Sequence, residues 1–433
     1  MIRVVTAAAA VGLLALSGCS SEPDPTIPPS ATAAPAPAAD IKPLPDGKPF
    51  DVSVDTLGIH AFQGSPGTLS TAFRMNCYPS WRDVETSKGE YNWQVFDDAV
   101  ANQQAWGAQS LLYVFCGTPE WAAGKSSEPE SEVLGPGSAA PPKKLSDFED
   151  YARAVVKRYK GTIGAYETWN EASTPQFWQG TPEQMTQMTE ILHRVVKEED
   201  PDALATMASV QTHRQDYYQG FAEPYLKQLK QAGWPFEVYN GHFYPEGKGG
   251  PAARRKQIAM FQKSLADLDA PKKPLWDTEV NYYTGLPGGE PDGRITGDRA
   301  AAWAVRTYLD GWRLDLPRNY WYFATLEYSE FPGIQTRPGD PATQALAKFG
   351  LWVANTRFNG CEQKGELVNC SFIKDGREQF IAWADSDKDV AESPRVVYPL
   401  DGPAQACVLT ADTCETTSVL TVDEVPVLIT PTA

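Results

Sequence analysis

Short apolar segments alternate with amphipathic segments at an even rhythm from residue 56 onward. The apolar segments predict eight buried strands, namely Leu57–His60, Ala72–Asn76, Ser110–Phe115, Gly164–Asn170, Leu204–Val210, Val238–Tyr244, Pro274–Val280 and Asn319–Leu326. The segments between them predict helices, with capping boxes beginning at Ser146 and Thr181. Strands that alternate with helices pair in parallel, and eight such units predict an α/β fold, the (β/α)8 TIM barrel. An open doubly wound sheet is the less favoured alternative, because no glycine-rich phosphate-binding turn follows a strand.

The pattern of apolar and polar residues changes after a last predicted helix at Ala347–Asn355. Short β-type segments follow, separated by Gly, Pro and Asp turns: Phe372–Lys374, Gln379–Ala384, Val396–Tyr398, Ala406–Leu409 and Val425–Thr430. We therefore expect a catalytic barrel at residues 47–356 and a small C-terminal β-sandwich domain at residues 357–433. Residues just before the barrel are placed to add a strand to that domain.

The N-terminus predicts export. Arg3 precedes an apolar run, Val4–Leu16, that is too short to span a bilayer and is typical of a signal peptide. The run ends in Leu16-Ser17-Gly18-Cys19, which resembles a bacterial lipobox. We expect a lipoprotein signal peptide at 1–18, lipidation of Cys19, and a Pro/Ala-rich disordered tether at 19–46. The protein would then be anchored to the outer face of the membrane in the cell envelope. An ordinary signal peptide that happens to contain a Cys is the alternative.

Cysteine count and charge narrow the class of partner. Of the seven cysteines, six remain when Cys19 is set aside, and an even number in an exported chain predicts disulfides. Their spacing predicts Cys361–Cys370 and Cys407–Cys414, which leaves Cys77 to pair with Cys116. No metal-ligand spacing appears, so neither a metal nor another cofactor is expected. A net charge of −17 argues against nucleic acid as a partner, because phosphate contacts need clustered Lys and Arg. Contact with the membrane is expected through the lipid anchor only.

The carboxyl ends of the predicted strands carry the candidate chemistry, because active sites of such barrels lie at that face. Strand 4 ends in Glu171 and strand 7 in Glu279. Two carboxylates there suit glycosidic bond cleavage, in which one protonates the leaving oxygen and the other attacks the anomeric carbon. Other polar or aromatic residues at strand ends are His60, Arg74, Asn170, His242, Tyr244 and Trp321.

Several segments resemble the large clan of barrel glycosidases that retain anomeric configuration and carry their two glutamates at strands 4 and 7. The matching segments are Arg74-Met75-Asn76 with Trp81, Gly117-Thr118-Pro119-Glu120-Trp121-Ala122, Trp169-Asn170-Glu171 with Phe177-Trp178, and the Glu279 strand. Within the clan the family of β-xylosidases and α-L-iduronidases is the most similar. One departure is Ala172, where the clan usually has a Pro after the acid/base Glu.

The resemblance implies a role for each matching residue. Glu171 would be the catalytic acid/base and Glu279 the nucleophile. Arg74 would keep Glu279 ionised, and Tyr244 or His242 would hydrogen-bond near it. Asn170 would bind the sugar 2-hydroxyl, and Trp321 would form the floor of the subsite where the sugar reacts. His60 is a further candidate for substrate binding.

The implied function is a retaining glycosidase that acts on an extracellular or envelope oligo- or polysaccharide. A catalytically inactive carbohydrate-binding lipoprotein is the alternative, although binding alone does not need two facing carboxylates. The sequence leaves open the sugar and its linkage, endo or exo action, the role of the β-domain and the oligomeric state.

Overall fold

The computed structural model describes residues 49–52, 56–128, 132–246, 249–282, 294–328, 333–386 and 393–432. The predicted signal peptide, the tether and the lipidation site Cys19 lie outside the described residues. Within these ranges, no helix is both long and apolar enough to cross a membrane.

Eight parallel strands of the described chain form the barrel. Their bounds are β1 Leu57–Ala61, β2 Ala72–Met75, β3 Ser110–Val114, β4 Ala165–Glu167, β5 Leu204–Thr206, β6 Tyr239–Gly241, β7 Leu275–Val280 and β8 Arg318–Ala324. Consecutive strands are neighbours, and β8 pairs with β1. A parallel bridge from Thr206 to Val238 closes the ring between β5 and β6. The predicted barrel is confirmed, although several strands are shorter than expected.

Helices surround the barrel: α1 Trp81–Val84, α2 Trp93–Ala105, α3 Leu145–Arg158, α4 Pro182–Glu199, α5 Gln215–Tyr217, α6 Glu223–Gln231, α7 Pro251–Asp267, α8 Gly297–Arg313 and α9 Pro341–Val353. A π-helical turn, Tyr218–Ala222, joins α5 to α6. The capping box at Thr181 is confirmed, since the Gln184 amide donates to Thr181 Oγ1 at 3.2 Å. The one at Ser146 is wrong, because α3 already begins at Leu145. The connection from β1 to β2, residues 62–71, contains no helix.

The predicted β-domain consists of two antiparallel sheets. Its strands are β9 Thr356–Lys364, β10 Leu367–Lys374, β11 Arg377–Ala384, β12 Val396–Tyr398, β13 Ala404–Val408, β14 Cys414–Thr417, β15 Leu420–Val422 and β16 Val427–Pro431. The N-terminal strand Phe50–Val52 pairs with β9 and joins the larger sheet, while β12 and β15 form the smaller one. Strands β9, β14 and β15 were not predicted, because each is largely polar or very short.

Aromatic packing joins the β-domain to the barrel, and each of the three disulfides lies within one of these two parts. Trp312 of α8 lies 5.7 Å from Phe50, 5.8 Å from Phe358 and 6.3 Å from Phe372, measured between ring centroids. The β-domain is thus packed on the barrel through a shared apolar layer. All three expected disulfides are present: Cys77–Cys116, Cys361–Cys370 and Cys407–Cys414. The first joins the chain just after β2 to the chain just after β3, next to the carboxyl face of the barrel.

Candidate active site

Glu171 and Glu279 face each other at the carboxyl end of the barrel. Glu171 follows β4 and Glu279 lies in β7, and only 6% and 7% of their surfaces are exposed. A carboxylate oxygen of each, together with a ring nitrogen of His242, lies in one group whose atoms are all within 4.8 Å of one another. The structure thus brings together the two residues that the sequence singled out as catalytic.

The backbone at Glu171 is held in an uncommon conformation. Its φ of 42° lies in the left-handed region, which residues other than Gly rarely adopt and which clusters at functional sites. The Glu171 amide donates to Ser209 Oγ and the Ala172 amide to the Ser209 carbonyl, both at 2.9 Å. A proline at position 172 has no N–H to donate. The departure from the clan therefore brings a hydrogen bond that positions the turn carrying Glu171.

Arg74 organises the carboxylates from inside the barrel. Its Nε and Nη2 donate to both carboxylate oxygens of Glu167, at 3.0 and 2.8 Å, and its Nη1 donates to Glu279 at 2.9 Å. Nη2 also donates to Asn170 Oδ1 at 2.8 Å. Because Asn170 accepts this bond through its oxygen, its amide nitrogen remains as the hydrogen-bond donor of this side chain. The predicted contact of Arg74 with Glu279 is present.

The segment after β6 contacts both catalytic candidates. His242 Nδ1 lies 2.8 Å from Glu171, and the Tyr244 hydroxyl donates to Glu279 at 2.9 Å. Of the two residues expected near Glu279, Tyr244 bonds it and His242 bonds Glu171 instead. The other ring nitrogen of His242, Nε2, is buried with no partner among the described residues.

The charges of this group shift its pKa values. Burial alone lowers the pKa of His242, but the charge of Glu279 and the hydrogen bond to Glu171 outweigh it and raise that pKa. Burial alone raises the pKa of Glu171, but the His242 hydrogen bond and charge bring it below its ordinary value. Burial raises the pKa of Glu279 against the opposing charges of His242 and Arg74. The charged forms of His242 and Glu171 therefore stabilise each other.

Two predicted binding residues do not reach the space between the carboxylates. His60 is fully buried, and its Nε2 lies 2.9 Å from the Thr278 carbonyl oxygen. Trp321 is also fully buried and donates to Thr336 Oγ1 at 3.3 Å, so its ring offers no face to a sugar. The structure thus corrects the assignment of Trp321 as the floor of the subsite.

The next residue of β8, Tyr322, is less buried than Trp321 and lies within the electrostatic influence of both glutamates. It is half-buried, its ring centroid lies 5.1 Å from that of His60, and burial followed by the charges of Glu279 and Glu171 raises its pKa. Glu167 and Ser209 were also missed. For Glu167 a signal existed, because a buried strand interior rarely carries a carboxylate without a cationic partner.

Two carboxylates and an imidazole are donors that divalent cations accept. Here Arg74 already contacts Glu279, and its fixed positive charge opposes a second cation. We interpret Glu171 and His242 as a hydrogen-bonded pair that faces Glu279, which bonds Arg74 and Tyr244 instead.

The fold and this group define a (β/α)8 barrel with facing glutamates at strands 4 and 7. Solved structures share the fold. A family 39 glycoside hydrolase from Bacteroides cellulosilyticus WH2 is 18% identical, with a TM-score of 0.62 over 87% of this chain and 81% of its own. A monomeric β-xylosidase from Caulobacter crescentus CB15 is 16% identical, with a TM-score of 0.61 over 90% and 98%. A GH30 endoxylanase from Clostridium papyrosolvens C71 is 12% identical, with a TM-score of 0.55 over 89% and 98%.

No protein-family model and no curated protein sequence matches the chain. The likeness to the solved structures therefore shows the fold. At that level it confirms the resemblance to barrel glycosidases.

Proposed function

We propose that the protein is a retaining glycoside hydrolase that cleaves O-glycosidic bonds of an extracellular or cell-envelope oligo- or polysaccharide by double displacement. The observation that carries the proposal is the separation of the two glutamates, whose oxygens lie within 4.8 Å of each other. Retaining enzymes hold their carboxyl groups about 5–5.5 Å apart, whereas inverting enzymes leave about 6.5–9.5 Å for a water molecule.

In the first step, Glu171 delivers the proton of the Glu171–His242 pair to the glycosidic oxygen. The carboxylate of Glu279 attacks the anomeric carbon as the bond to that oxygen breaks, and the leaving group departs as an alcohol. A glycosyl ester on Glu279 remains. Arg74 and Tyr244 bond Glu279 and fix its orientation for the attack.

In the second step, a water molecule gives a proton to Glu171 while its oxygen attacks the anomeric carbon from the side that the leaving group vacated. The ester bond breaks, Glu279 returns to a carboxylate, and the Glu171–His242 pair regains its proton. Two inversions give net retention.

The location and the substrate class belong to the same proposal. Three disulfides favour an oxidising compartment, in agreement with the signal peptide and lipid anchor expected from the sequence. The similar solved structures include a β-xylosidase and an endoxylanase, so xylosides are the first substrates to test.

The test is hydrolysis of a panel of aryl glycosides and wall polysaccharides, with NMR of the first-formed anomer. We expect retained configuration, and a loss of kcat of about 10³-fold or more (~4 kcal/mol) in Glu279→Gln. The surface variant Glu366→Gln is the control and should behave as wild type. An inverted first product would rule out double displacement. Sugar binding without turnover in the wild type would instead identify a carbohydrate-binding protein.

A further inference from the structure

A cavity of about 180 Å³ lies between the ends of β1 and β2 and helix α2. The connection from β1 to β2, residues 62–71, places no helix against this part of the barrel. The side chains that matter for what the cavity binds come from the two strand ends and from α2: Phe62, Asn76, Tyr78, Asn102, Gln103 and Trp106. Ligand pockets for drug-sized molecules measure about 300–1,000 Å³, so this volume suits one small ring.

The lining combines aromatic rings with side-chain amides. Phe62 and Tyr78 are 40% and 58% exposed, which is high for large aromatic residues. Aromatic faces pack against the C–H faces of sugar rings, while amides exchange hydrogen bonds with hydroxyl groups. The one charged residue of the wall is Arg74, and its charge is already paired with Glu167 and Glu279. The combination fits a neutral polyhydroxylated ring rather than an anion or a lipid.

Gln103 provides an independent indication of a missing polar partner. Its Nε2 donates to the Ala61 carbonyl oxygen at 3.0 Å, which fixes the orientation of the amide group. Its Oε1 is buried and has no hydrogen-bond partner among the described residues. A buried acceptor without a donor costs free energy.

The cavity is connected to the catalytic group through two of its lining residues. Arg74 and Asn76 both belong to the wall, and Arg74 Nη1 bonds Asn76 at 3.3 Å and Glu279 at 2.9 Å. A sugar ring in the cavity would therefore adjoin a ring that reacts at Glu279.

The position of Glu171 determines which part of the substrate the cavity receives. Glu171 bonds His242 after β6, so the acid that protonates the leaving oxygen lies toward the β5–β6 side of the barrel. The leaving group must lie near that acid. The cavity lies at β1 and β2, on the opposite side of the ring of strands. It therefore faces the part of the glycan that remains on Glu279.

We propose that this cavity is a sugar subsite that binds the ring next to the reacting sugar, on its non-reducing side. This inference rests on the proposed glycosidase function and deepens it. The preferred substrate would be a glycan with at least two linked sugars before the scissile bond, rather than a simple monosaccharide glycoside.

Paired aryl substrates test the proposal: 4-nitrophenyl β-xyloside against the β-xylobioside, and the β-glucoside against the β-cellobioside. We expect kcat/KM about tenfold or more higher for the better disaccharide, the scale of a few hydrogen bonds. Asn102→Trp fills the cavity from an exposed helix position and should reduce that ratio about tenfold. Gln104→Trp, exposed on the same helix outside the lining, is the matched control.

A wild-type ratio near one, or a ratio that Asn102→Trp leaves unchanged, would overturn the subsite while the glycosidase proposal stands. Calorimetric titration with xylobiose and cellobiose measures disaccharide binding without hydrolysis, so it tests the subsite independently of the glycosidase activity. Disaccharide binding that Asn102→Trp abolishes, in a protein that hydrolyses neither glycoside, supports the cavity and refutes the glycosidase. Neither binding nor hydrolysis would refute both.

Discussion

The barrel mouth and the barrel–domain interface both bury arginine side chains among carboxylates. Carboxylates outnumber arginines at the mouth, and arginines outnumber carboxylates at the interface. At the mouth, three carboxylates, Glu167, Glu171 and Glu279, surround the single guanidinium of Arg74. At the interface, three arginines of α7 and α8 converge on Asp385 at the end of β11 and on Asp310 of α8. Arg306 bonds Asp385, Arg313 bonds it at 2.7 Å, and Arg255 lies 3.0 Å from it.

The difference in charge corresponds to a difference in role. An excess of carboxylates at the mouth raises the pKa of His242 beside Glu171, which suits the acid–base role proposed for this pair. An excess of arginines at the interface leaves each carboxylate oxygen of Asp385 paired, so the charges stabilise the domain contact. Arg306 and Arg313 also lie over the Trp383 ring, at 5.8 and 5.6 Å from its centroid. Under the proposed function, buried charge takes part in the reaction at the mouth, whereas at the interface it stabilises the domain contact.

Removing the interface carboxylate should give the largest change in stability. In Asp385→Ala, three largely buried guanidinium groups lose their shared partner, and breaking such a group costs about 3–5 kcal/mol. We expect a lower free energy of unfolding in denaturant titrations. The kcat/KM at a temperature where the variant is folded should match that of wild type.

The exposed Asp401→Ala in the same domain is the control and should change stability little. A fall in kcat/KM with unchanged unfolding would show that the interface acts on catalysis and would remove the contrast between the two regions.

At the mouth, Glu167→Gln should act on the chemistry. Glutamine has one accepting oxygen, so Arg74 loses part of its bidentate pairing and its charge acts more fully on Glu279. The pKa of Glu279 then falls, the acidic limb of kcat/KM moves to lower pH, and kcat drops about tenfold as the nucleophile becomes less basic and less well placed.

Asp277→Asn is the matched control, because Asp277 is an equally buried carboxylate that accepts from Arg254 at 3.2 and 2.7 Å. Both variants should lose stability. An acidic limb that moves equally in both, or in neither, would make Glu167 a structural residue only.

The sequence was sufficient to predict which residues meet at the site, but not the hydrogen bonds among their side chains. Strand periodicity and flanking motifs located Glu171, Glu279 and Arg74, since strand ends of a closed barrel must meet at one face. Trp321 was misassigned because the pairing register of β8 with β1 shifts after this residue, so simple alternation does not tell which side chain points inward. The partner of His242 depends on how far each segment runs past its strand, which only tertiary packing determines.

The smallest expected effect concerns the proton at the mouth. In His242→Gln, Glu171 loses the imidazolium that keeps its pKa low, and burial then raises the pKa of this carboxyl above its ordinary value. In the wild type, the proton that is delivered to the leaving oxygen is shared with the His242 imidazole, whose pKa is raised. In the variant it is held by the Glu171 carboxyl group. It is therefore lost at a lower pH, and the basic limb of kcat/KM should move toward acid. His60→Gln is the control, because burial and then Arg74 hold the pKa of His60 well below its ordinary value, so that ring carries no extra proton. If the basic limb moves in His60→Gln and stays in place in His242→Gln, the assignment of the proton to His242 is wrong. The mouth would then differ from the interface in charge without holding a working acid at Glu171.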